Sequence, residues 1–419
     1  MTSNWAGSHE YAAARIHRPT SVPELQEVVA GAARVRALGT RHSFTDVADT
    51  PGDLVSVLDL PPTIELDERA GTVRVAAGVR YGELGVHLQQ RGRALATMAS
   101  LPHISVGGAV ATGTHGSGDA TGSLAAAVCG LEIVGPDGER RTVRRGEPDF
   151  DGQVVALGAL GVVTHLTLDV EPDYLVRQDL ATDLAWDDAL SDLDALTGSA
   201  YSVSLFTRWV NGSIDQVWRK SRGTEPPGDL LGARPATAAL HMLSGADVAA
   251  VTRQGGEPGP WNRRLPHFRL EFTPSRGEEL QSEYLLPRAR TAEAVAALRV
   301  LAPSFEQLLQ VSEVRTVAAD DLWLSGAYAA DAVALHFTWV RDLAGVHAVL
   351  PQIEAALLPL GARPHWGKCF VAGVDRLAAL YPRLGDFRAL ADRTDPTGKL
   401  RNRFLARHLG LDDPRAGES

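Results

Sequence analysis

The segment from Ser105 to Gly118, SVGGAVATGTHGSG, most constrains how this chain folds, because five of its fourteen residues are glycine and none is Asp, Glu, Lys or Arg. Glycine permits positive φ and lets a ligand approach the main chain closely, so that successive backbone N–H groups can converge on an anion. We therefore predict that this glycine-rich run binds a phosphate or pyrophosphate. An exposed surface loop is the alternative, but Val106, Val110 and the neighbouring alanines make the run too apolar for full exposure.

The run does not match the common phosphate-binding motifs. Gly108 and Gly113 have the spacing of the Walker motif G-x-x-x-x-G-K-[ST], but Thr114 and His115 follow where that motif needs lysine and a hydroxyl residue. The dinucleotide motif G-x-G-x-x-G does not occur within the run either. The sequence thus predicts an anion cradle that is built mainly from backbone.

Composition and charge exclude several classes of protein. The chain has 419 residues, 44% of them hydrophobic and 22% charged, which is typical of a globular protein with two or three domains. A net charge of −10 and the lack of a Lys/Arg block argue against nucleic acid as a partner. Only two cysteines, no signal-peptide pattern and no apolar run of about eighteen residues predict a cytoplasmic protein without a membrane partner. Without a heptad pattern, a monomer is expected.

Short strand patterns alternate with a few helices along the chain, which favours an α+β fold. Ser21, with Glu24 three residues later, predicts a helix that begins at Val22. Strands are predicted at 35–38, 55–58, 63–66, 72–76, 131–134, 141–143, 162–170, 202–209, 269–272, 309–317 and 333–340. The helices are too few to cover both faces of a parallel sheet. We predict a first domain at 1–172, a second, sheet-containing domain at 173–362, and a helical segment at 363–419 that packs back on the first.

Two of the predicted strands carry polar pairs among apolar neighbours. Residues i and i+2 of a strand face the same side, so Glu313 with Arg315, and His336 with Thr338, each project from one face. Polar groups on a sheet-lined surface are costly unless they are paired or used. A structural Glu–Arg ion pair and a binding site are therefore both open interpretations.

Lysine is rare in this chain: Lys220, Lys368 and Lys399 are three among 41 basic residues. The compact charge of lysine, and the fall of its pKa on burial, suit hydroxyl contact or proton transfer better than arginine does. Lys368 is either such a residue or an exposed lysine. Together with the two polar pairs, it could line one pocket for a polyhydroxylated ligand.

Three histidines lie close to glycines. His42 follows a predicted strand and the turn that starts at Gly39, His103 precedes the glycine-rich run, and His115 lies within it. Their spacing is not that of a zinc site, so no metal is predicted. A histidine at a tight turn is more often a hydrogen-bonded turn residue than a nucleophile.

Six segments of the chain resemble one enzyme family, in order and at consistent spacing. They are GTRHSF at 39–44, MASLPHISVGGAVATGTHGSG at 98–118, GALGVVTHLTL at 158–168, SEVRTV at 312–317, HFTW at 336–339 and ARPHWGK at 362–368. They resemble the alditol oxidases, which are xylitol- and sorbitol-oxidising members of the vanillyl-alcohol oxidase family of FAD enzymes. The resemblance implies an FAD-binding domain of two α+β subdomains, completed by the C-terminal segment, and a central cap domain that binds substrate. These parts agree with the boundaries at 172 and 362.

The resemblance assigns FAD to the glycine-rich run and to the turn that contains His42. The implied cofactor-binding residues are Gly39, Thr40, Arg41, His42, Ser43, Ser100, Ser105, Gly108, Ala109, Val110, Ala111, Thr112, Gly113, Thr114, His115, Val163 and His365. The resemblance also implies a covalent bond from His42 to the 8α-methyl carbon of the flavin, formed by addition of a neutral imidazole nitrogen to an electrophilic tautomer of the ring system. Arg41 departs from the wider family, which often has glycine before the linking histidine.

The same resemblance implies a polyol substrate. The matching substrate-binding residues are Ser100, Glu313, Arg315, His336, Thr338 and Lys368, of which Glu313, Arg315, His336 and Lys368 are the catalytic candidates. The implied reaction transfers hydride from the terminal CH₂OH of an alditol to the flavin and then two electrons to O₂, which yields an aldose and H₂O₂. Two alternatives stay open: an aldonolactone oxidase or dehydrogenase of the same flavin family, and a nucleotide- or sugar-binding protein without catalysis.

Overall fold

The first part of the chain forms a small parallel sheet and a five-stranded antiparallel sheet. The computed structural model describes residues 2–210, 212–230, 232–272 and 277–412. The strands of the first part are β1 (Arg15–His17), β2 (Val35–Leu38), β3 (Asp53–Ser56), β4 (Ile64–Asp67), β5 (Thr72–Ala76), β6 (Arg93–Ala94), β7 (Val128–Val134), β8 (Arg140–Arg144), β9 (Val162–Asp169) and β10 (Glu171–Pro172). The parallel sheet has the order β1-β3-β2, the antiparallel sheet has the order β4-β5-β9-β7-β8, and β6 pairs with β10.

A nine-stranded antiparallel sheet forms the centre of the second part. Its strands are β11 (Leu175–Ala185), β12 (Ser202–Thr207), β13 (Ser213–Arg222), β14 (Arg234–Pro235), β15 (Gly259–Pro260), β16 (Glu279–Pro287), β17 (Leu309–Val317), β18 (Ala332–Val340) and β19 (Arg363–Pro364). Their spatial order is β14-β11-β13-β12-β17-β18-β16-β19, and β15 also pairs with β11. The strands β17, β18 and β16 are therefore direct neighbours, although β16 precedes the other two in the chain.

The predicted strands are confirmed within about three residues of their ends, except that the strand predicted at 269–272 is wrong. The backbone N–H of Arg269 donates to the Ala250 carbonyl at 2.9 Å, and the Arg269 guanidinium donates to the Val251 carbonyl at 2.8 Å. Phe268 forms a single β-bridge with Val251, and the chain then turns between Arg269 and Phe272. These two hydrogen bonds hold Arg269 at the start of a turn, although the local sequence favours a strand.

The α-helices lie in both parts of the chain and in the C-terminal segment. They are α1 (Val22–Gly31), α2 (Tyr81–Gln89), α3 (Val106–Ala111), α4 (Phe150–Val154), α5 (Trp186–Ser191), α6 (Leu193–Thr197), α7 (Thr291–Phe305), α8 (Leu343–Leu357), α9 (Val374–Leu380), α10 (Leu384–Thr394) and α11 (Arg403–Leu409). At α1, the Ser21 hydroxyl accepts from the Glu24 N–H at 3.3 Å, and the Glu24 carboxylate accepts from the Thr20 N–H at 2.7 Å. The predicted start of α1 is therefore confirmed.

The central strands of the nine-stranded sheet have an apolar face and a polar face. On the apolar face, Phe337 and Trp339 of β18 stack on each other and pack edge-on against Phe305 of α7. Tyr284 of β16 points to the same side, where its hydroxyl donates to Glu354 of α8 at 3.0 Å. Because side chains alternate along a strand, the residues between these face the opposite side of the sheet.

One helical stretch, Leu343–Leu360, is 18 residues long with a mean hydropathy of 1.4, and so has the length and composition of a membrane span. In the fold, 39% of it is buried. A core helix of a soluble protein meets the same criteria, so a single such helix is weak evidence for a membrane. The absence of a membrane partner stays a prediction.

The C-terminal segment lies against β2 and the loop that follows it. The Asn402 amide donates to the carbonyls of Val47 and Asp49 at 3.1 and 2.8 Å, and the Val35 N–H donates to the Lys399 carbonyl at 3.0 Å. These bonds join the start of α11 to β2 and to the loop that follows it. We keep the division of the chain at 172 and 362 as a proposal.

A buried histidine in α11 makes the stability of the fold depend on pH. His408 packs against Phe370 and Phe404, its Nδ1–H donates to the Ala372 carbonyl at 2.8 Å, and its Nε2 accepts from Arg407 at 2.9 Å. Both ring nitrogens are thus used in the neutral form, and burial lowers the pKa of His408 from 6.5 to about 4. Between these two pH values, the unfolded chain binds a proton that the folded chain does not.

We expect the free energy of unfolding to fall as the pH is lowered from 6.5 to about 4, with about 3 kcal/mol of the loss due to His408. Urea titrations across this range measure the effect. His408→Asn keeps a donor for the Ala372 carbonyl but does not titrate, so it should lose less stability in acid than the wild type. His347→Asn, at an exposed position of α8, is the control and should behave like the wild type. An equal acid loss in His408→Asn and wild type would contradict this explanation.

Candidate active site

The glycine-rich run contains the short helix α3, with Ser105 directly before it. A Cβ on Gly107 would lie 2.7 Å from the Cβ of Ala77, and a Cβ on Gly39 would lie 2.6 Å from Ser105 Oγ. Glycine is required at 107, because a side chain there would push the run away from Ala77, whereas at 39 the Ser105 hydroxyl would have to turn aside. The run therefore packs closely on the first domain and presents its other side to a cavity.

One cavity of about 310 Å³ extends from the glycine-rich run to the polar face of the nine-stranded sheet. Of the residues assigned to the cofactor, its lining includes Gly39, Thr40, Arg41, His42, Ser43, Ser100, Ser105, Gly108, Ala109, Ala111, Thr112, Thr114, His115, Val163 and His365. The other two lie beside it: Val110 is buried in the core, and Gly113 has a φ of 68° where α3 ends. The residues assigned to the substrate, Ser100, Glu313, Arg315, His336, Thr338 and Lys368, all line the same cavity.

The turn that carries His42 has an unusual backbone for its sequence. Arg41 has a φ of 64°, a left-handed conformation that favours glycine. The Arg41 carbonyl accepts from the Trp5 N–H at 2.8 Å, and its guanidinium donates to the Ser3 carbonyl at 3.2 Å. The N-terminal residues thus hold Arg41 in the conformation that glycine would adopt in this turn.

The half-buried ring of His42 stacks on Trp5, with the ring centroids 5.3 Å apart. Its Nδ1 has no hydrogen-bond partner among the described residues. Burial, together with the nearby positive charges, lowers the pKa of His42 to about 4, so the ring is neutral near pH 7. A neutral imidazole with an unpartnered nitrogen is the form that bonds to an electrophilic carbon.

Three neighbouring strands present a row of polar side chains to the cavity. Glu283 of β16, His336 of β18 and Glu313 of β17 are register partners, so their side chains stand side by side. Arg315 lies two residues after Glu313 on β17, and Thr338 lies two residues after His336 on β18. Because these strands are antiparallel, the two residues flank the row on opposite sides. All five residues are buried and line the cavity. The two polar pairs therefore share one face of one sheet, as their spacing predicts.

Glu283, which no sequence motif indicated, is the centre of charge in this row. Its carboxylate accepts from Lys368 and from Arg315 at 2.5 Å each, and it lies 3.3 Å from Nε2 of His115 in the glycine-rich run. Burial raises the pKa of such a carboxyl, but the charges of Lys368 and Arg315 outweigh burial and hold the pKa of Glu283 well below its usual range. An ionised carboxylate thus connects the sheet to the glycine-rich run.

Lys368 is held between Glu283 and His336. Its Nζ lies 2.5 Å from Glu283 Oε2 and 2.8 Å from His336 Nδ1, and His336 Nε2 lies 3.1 Å from Thr338 Oγ. Burial lowers the pKa of Lys368, and burial with the charge of Lys368 holds the pKa of His336 well below its usual range. The neutral His336 ring therefore accepts from Lys368 at Nδ1. Within the described residues two positions on Nζ are used, which leaves one more for a ligand.

Glu313 contacts a second, deeper group of residues. Its Oε1 accepts from His267 Nε2 at 2.7 Å, and its Oε2 lies 3.4 Å from Arg315 Nε, which forms the predicted Glu–Arg ion pair. His267 Nδ1 lies 3.0 Å from Nζ of the buried Lys220, and Arg315 contacts Ser100 Oγ at 3.4 Å. The rarity of lysine in the sequence already singled out Lys220 as a candidate functional residue. No local pattern indicated the contact between His267 and Glu313.

The segment 365–368 joins the sheet to the turn that carries His42. The His365 N–H donates to the Glu283 carbonyl at 2.9 Å, and the Phe44 N–H donates to the Gly367 carbonyl at 2.7 Å. Burial, together with the charge of Lys368, holds the pKa of His365 well below its usual range, so a neutral ring faces the cavity. The position of Lys368 is thereby fixed relative to the cofactor residues.

Comparisons with known proteins show which family this chain is similar to. The profile of the FAD binding domain family matches residues 13–144, and that of D-arabinono-1,4-lactone oxidase matches residues 274–408. The chain is 50% identical over 406 residues to the alditol oxidase of Streptomyces sp. (strain IKD472 / FERM P-14339), a match that covers 96% of this chain and 97% of that protein. It is 31% identical over 432 residues to the L-gulono-1,4-lactone dehydrogenase of Mycobacterium tuberculosis, covering 97% and 99% of the two chains. Cholesterol oxidase from Brevibacterium sterolicum shares the fold, with a TM-score of 0.78 over 97% of this chain and 96% of that one at 14% identity.

The family profile and the 50% identical relative define an FAD-dependent oxidoreductase, and its fold is of the vanillyl-alcohol oxidase type. Within this class, the chain belongs to the family of the alditol oxidases. The family, the α+β fold class with its FAD-binding domain, and the FAD cofactor that the sequence predicts are thereby confirmed.

The residues of the cavity fit FAD. Ser105 Oγ and His42 Nδ1 are buried polar atoms that lack a hydrogen-bond partner within the described part of the chain. Buried polar groups in proteins are normally hydrogen-bonded, so these two atoms indicate a ligand at the glycine-rich run and at the turn before it. Backbone and hydroxyl groups at 105–115 would hold the pyrophosphate, and His42 and His365 would lie at the flavin.

Proposed function

We propose that this protein oxidises the terminal primary hydroxyl of alditols such as xylitol and sorbitol to the aldose, with O₂ as electron acceptor and H₂O₂ as product. The observation that carries the proposal is the row of Glu283, His336 and Glu313, which faces a cavity shared with the cofactor residues. A site that hydrogen-bonds many hydroxyls rejects ligands that lack them, because its own buried polar groups would then be unpaired. An alditol carries a hydroxyl on every carbon and satisfies such a site.

Lys368 is the base in this proposal. When bound, FAD supplies the redox chemistry, taking a hydride from the carbinol carbon and passing the electron pair on to O₂. In its neutral form, Lys368 donates one N–H to Glu283 and one to His336, which leaves its lone pair for a ligand in the cavity. The proton of the substrate hydroxyl passes to this lone pair as the carbon loses its hydride.

The other cavity residues bind and orient the polyol. Glu313 accepts hydrogen bonds from hydroxyls further along the chain, and Arg315 donates to them. Ser100 and Thr338 add hydroxyl groups that can donate or accept. His336 orients the amine of Lys368 through the 2.8 Å contact at Nδ1. Each buried charge thus has either a protein partner or a substrate hydroxyl.

Flavin absorbance tests the proposed reaction. Holoenzyme mixed with xylitol without oxygen should lose its flavin absorbance, and readmitted air should restore it with formation of H₂O₂. L-gulono-1,4-lactone is the comparison substrate, because a relative is named for it. Faster bleaching by the lactone than by any alditol would favour the aldonolactone alternative, and reoxidation by a dye but not by air would make the enzyme a dehydrogenase. No bleaching by either compound would leave a binding protein without catalysis.

The proposal includes a covalent bond between His42 and the flavin. After denaturation in acid, wild-type protein should give a yellow, fluorescent pellet, whereas His42→Ala should release all its FAD. Arg41→Gly should keep the bond and add about 1 kcal/mol of stability, because glycine adopts the left-handed conformation without steric cost. Arg41→Val, whose branched side chain disfavours that conformation, should lower the covalent fraction. Complete release of FAD by the wild type would disprove the bond, and an unchanged covalent fraction in Arg41→Val would disprove the role of the turn.

A monomeric state and a cytoplasmic location complete the proposal. The net charge of −10 supports the absence of a nucleic-acid partner. Size-exclusion chromatography and fractionation of the producing cells test the oligomeric state and the location.

A further inference from the structure

Behind Glu313 lies a buried lysine–histidine pair that takes no part in the proposed proton transfer. Lys220 of β13 is 1% exposed. Its Nζ lies close to three acceptors: the carbonyls of Leu265 and Pro266, at 2.6 and 3.2 Å, and Nδ1 of His267, at 3.0 Å. Burial lowers the pKa of Lys220 to about 7. In the ammonium form, three N–H donors satisfy all three contacts, whereas a neutral amine would leave one acceptor unpaired.

The contacts with Lys220 and with Glu313 require the same nitrogen of His267 to carry the proton. Because Nδ1 accepts from Nζ, the neutral ring is protonated at Nε2. This Nε2 lies 2.7 Å from Glu313 Oε1 and donates to it. Burial, with the charge of Lys220, lowers the pKa of His267 to about 4, which keeps the ring neutral. In the opposite tautomer, the Nε2 lone pair would face the carboxylate and repel it.

The ring of His267 has little freedom to turn away from Glu313. Phe206 and Trp218 contact it edge-on, with ring centroids 5.7 and 5.3 Å from its own. The backbone N–H of His267 donates to the Ser100 carbonyl at 3.1 Å. The contact with Glu313 is therefore controlled by the tautomer of the ring and not by its rotation.

Lys220 stands outside the cavity lining, whereas His267 and Glu313 belong to it. We propose that Lys220 is a positioning residue for substrate binding: its ammonium group fixes the Nε2–H tautomer of His267, which holds the Glu313 carboxylate towards the hydroxyls of the bound alditol. The inference rests on the proposed function. Because Lys220 acts through Glu313 and not through Lys368, its loss should weaken substrate binding more than the chemical step.

Replacing Lys220 by methionine removes the ammonium group and keeps a long, unbranched side chain. We expect Lys220→Met to raise KM for xylitol about tenfold, and kcat to change by less than about threefold, since a hydrogen bond to a charged group contributes about a factor of ten or more. His267→Phe should raise KM similarly, because it removes the donor. His267→Gln should bring KM back towards the wild-type value, because its amide N–H replaces the Nε2–H donor.

A double variant separates positioning from packing. The amide of His267→Gln has no tautomers, so adding Lys220→Met should leave KM within about twofold of the His267→Gln value. A structural role for Lys220 predicts the full increase in both backgrounds, and that result would overturn the inference. An unchanged KM in Lys220→Met would overturn it as well.

Two further measurements cover the remaining cases. If Lys220→Met does not fold, equal KM values for His267→Phe and His267→Gln overturn the inference. A crystal structure of Lys220→Met gives an answer that needs no substrate: His267 Nε2 and Glu313 Oε1 should move beyond about 3.5 Å, the limit of a hydrogen bond. An unchanged contact overturns the inference. Failure of the proposed function is distinct from these results, because it shows as wild-type flavin that alditols do not bleach.

Discussion

Replacing Lys368 by methionine should lower kcat/KM for xylitol by about a hundredfold to ten-thousandfold, the range of general-base contributions in enzymes. The lysine is half-buried, lines the cavity, and donates to Glu283 and His336. Methionine fills much of the same volume but cannot accept a proton. Anaerobic stopped-flow bleaching of the flavin measures this step without contribution from the reaction with O₂.

The same variant should lose a pH dependence that the wild type has. Lys368 accepts a proton only as a neutral amine, so the bleaching rate of the wild type should rise with pH through the pKa of Lys368. Burial lowers this pKa from 10.5, although the charge of Glu283 opposes the shift, so the rise should be centred below pH 10.5. In Lys368→Met, the rise should be absent.

Lys399→Met is the matched control for Lys368→Met. Lys399 donates to the carbonyls of Val29 and Ala30 in α1 and is not part of the cavity lining. The rate of flavin bleaching and its pH profile in Lys399→Met should equal those of the wild type. A Lys368→Met enzyme that bleaches at the wild-type rate would show that another group takes the proton, with His336 as the next candidate.

Helix starts and strands that depend on neighbouring residues could be predicted from the sequence, whereas the pairing of the strands in the nine-stranded sheet could not. The cap of α1 involves only Thr20, Ser21 and Glu24, which are at most four residues apart. The pairing of β16 with β18 depends on contacts such as Glu283 with His336, far apart in the chain. No local pattern contains this information. The prediction of a strand at 269–272 was wrong for the same reason, because the hydrogen bonds of Arg269 go to Ala250 and Val251, outside the local sequence.

The candidate site shows the same limit. Alternation within a strand was enough to place Glu313 beside Arg315, since both residues lie on β17. Glu283 has a polar neighbour two residues away, Gln281, so the alternation was present there too. Glu283 is central to the site, however, because Arg315 and Lys368 donate to its carboxylate, and these residues lie on β17 and in the segment after β19. Only the tertiary structure shows that one carboxylate serves both cations.

Glu283→Gln should have the largest effect on stability, because it leaves the buried Arg315 and the half-buried Lys368 without their shared counter-ion. Arg315 and Lys368 both donate to this carboxylate at 2.5 Å. Removing one partner of a buried ion pair costs about 3–5 kcal/mol, which urea unfolding of the wild type and the variant will measure. The anion also opposes the effect of burial on Lys368, so the pKa of Lys368 should fall further in the variant. The pH-dependent rise in flavin bleaching should therefore move to lower pH.

Glu354→Gln is the matched control, because Glu354 is also a buried glutamate that contacts β16, from the apolar face of the sheet. It accepts from the Tyr284 hydroxyl at 3.0 Å and from the Val371 N–H at 2.7 Å, and burial raises its pKa. Its partners are neutral, so an amide there should cost less than about 1.5 kcal/mol and leave the pH profile in place. Equal losses of stability in the two variants would mean that the hydrogen bonds of Glu283, and not its charge, sustain the cluster. An unmoved pH profile in Glu283→Gln would remove Glu283 from the control of Lys368.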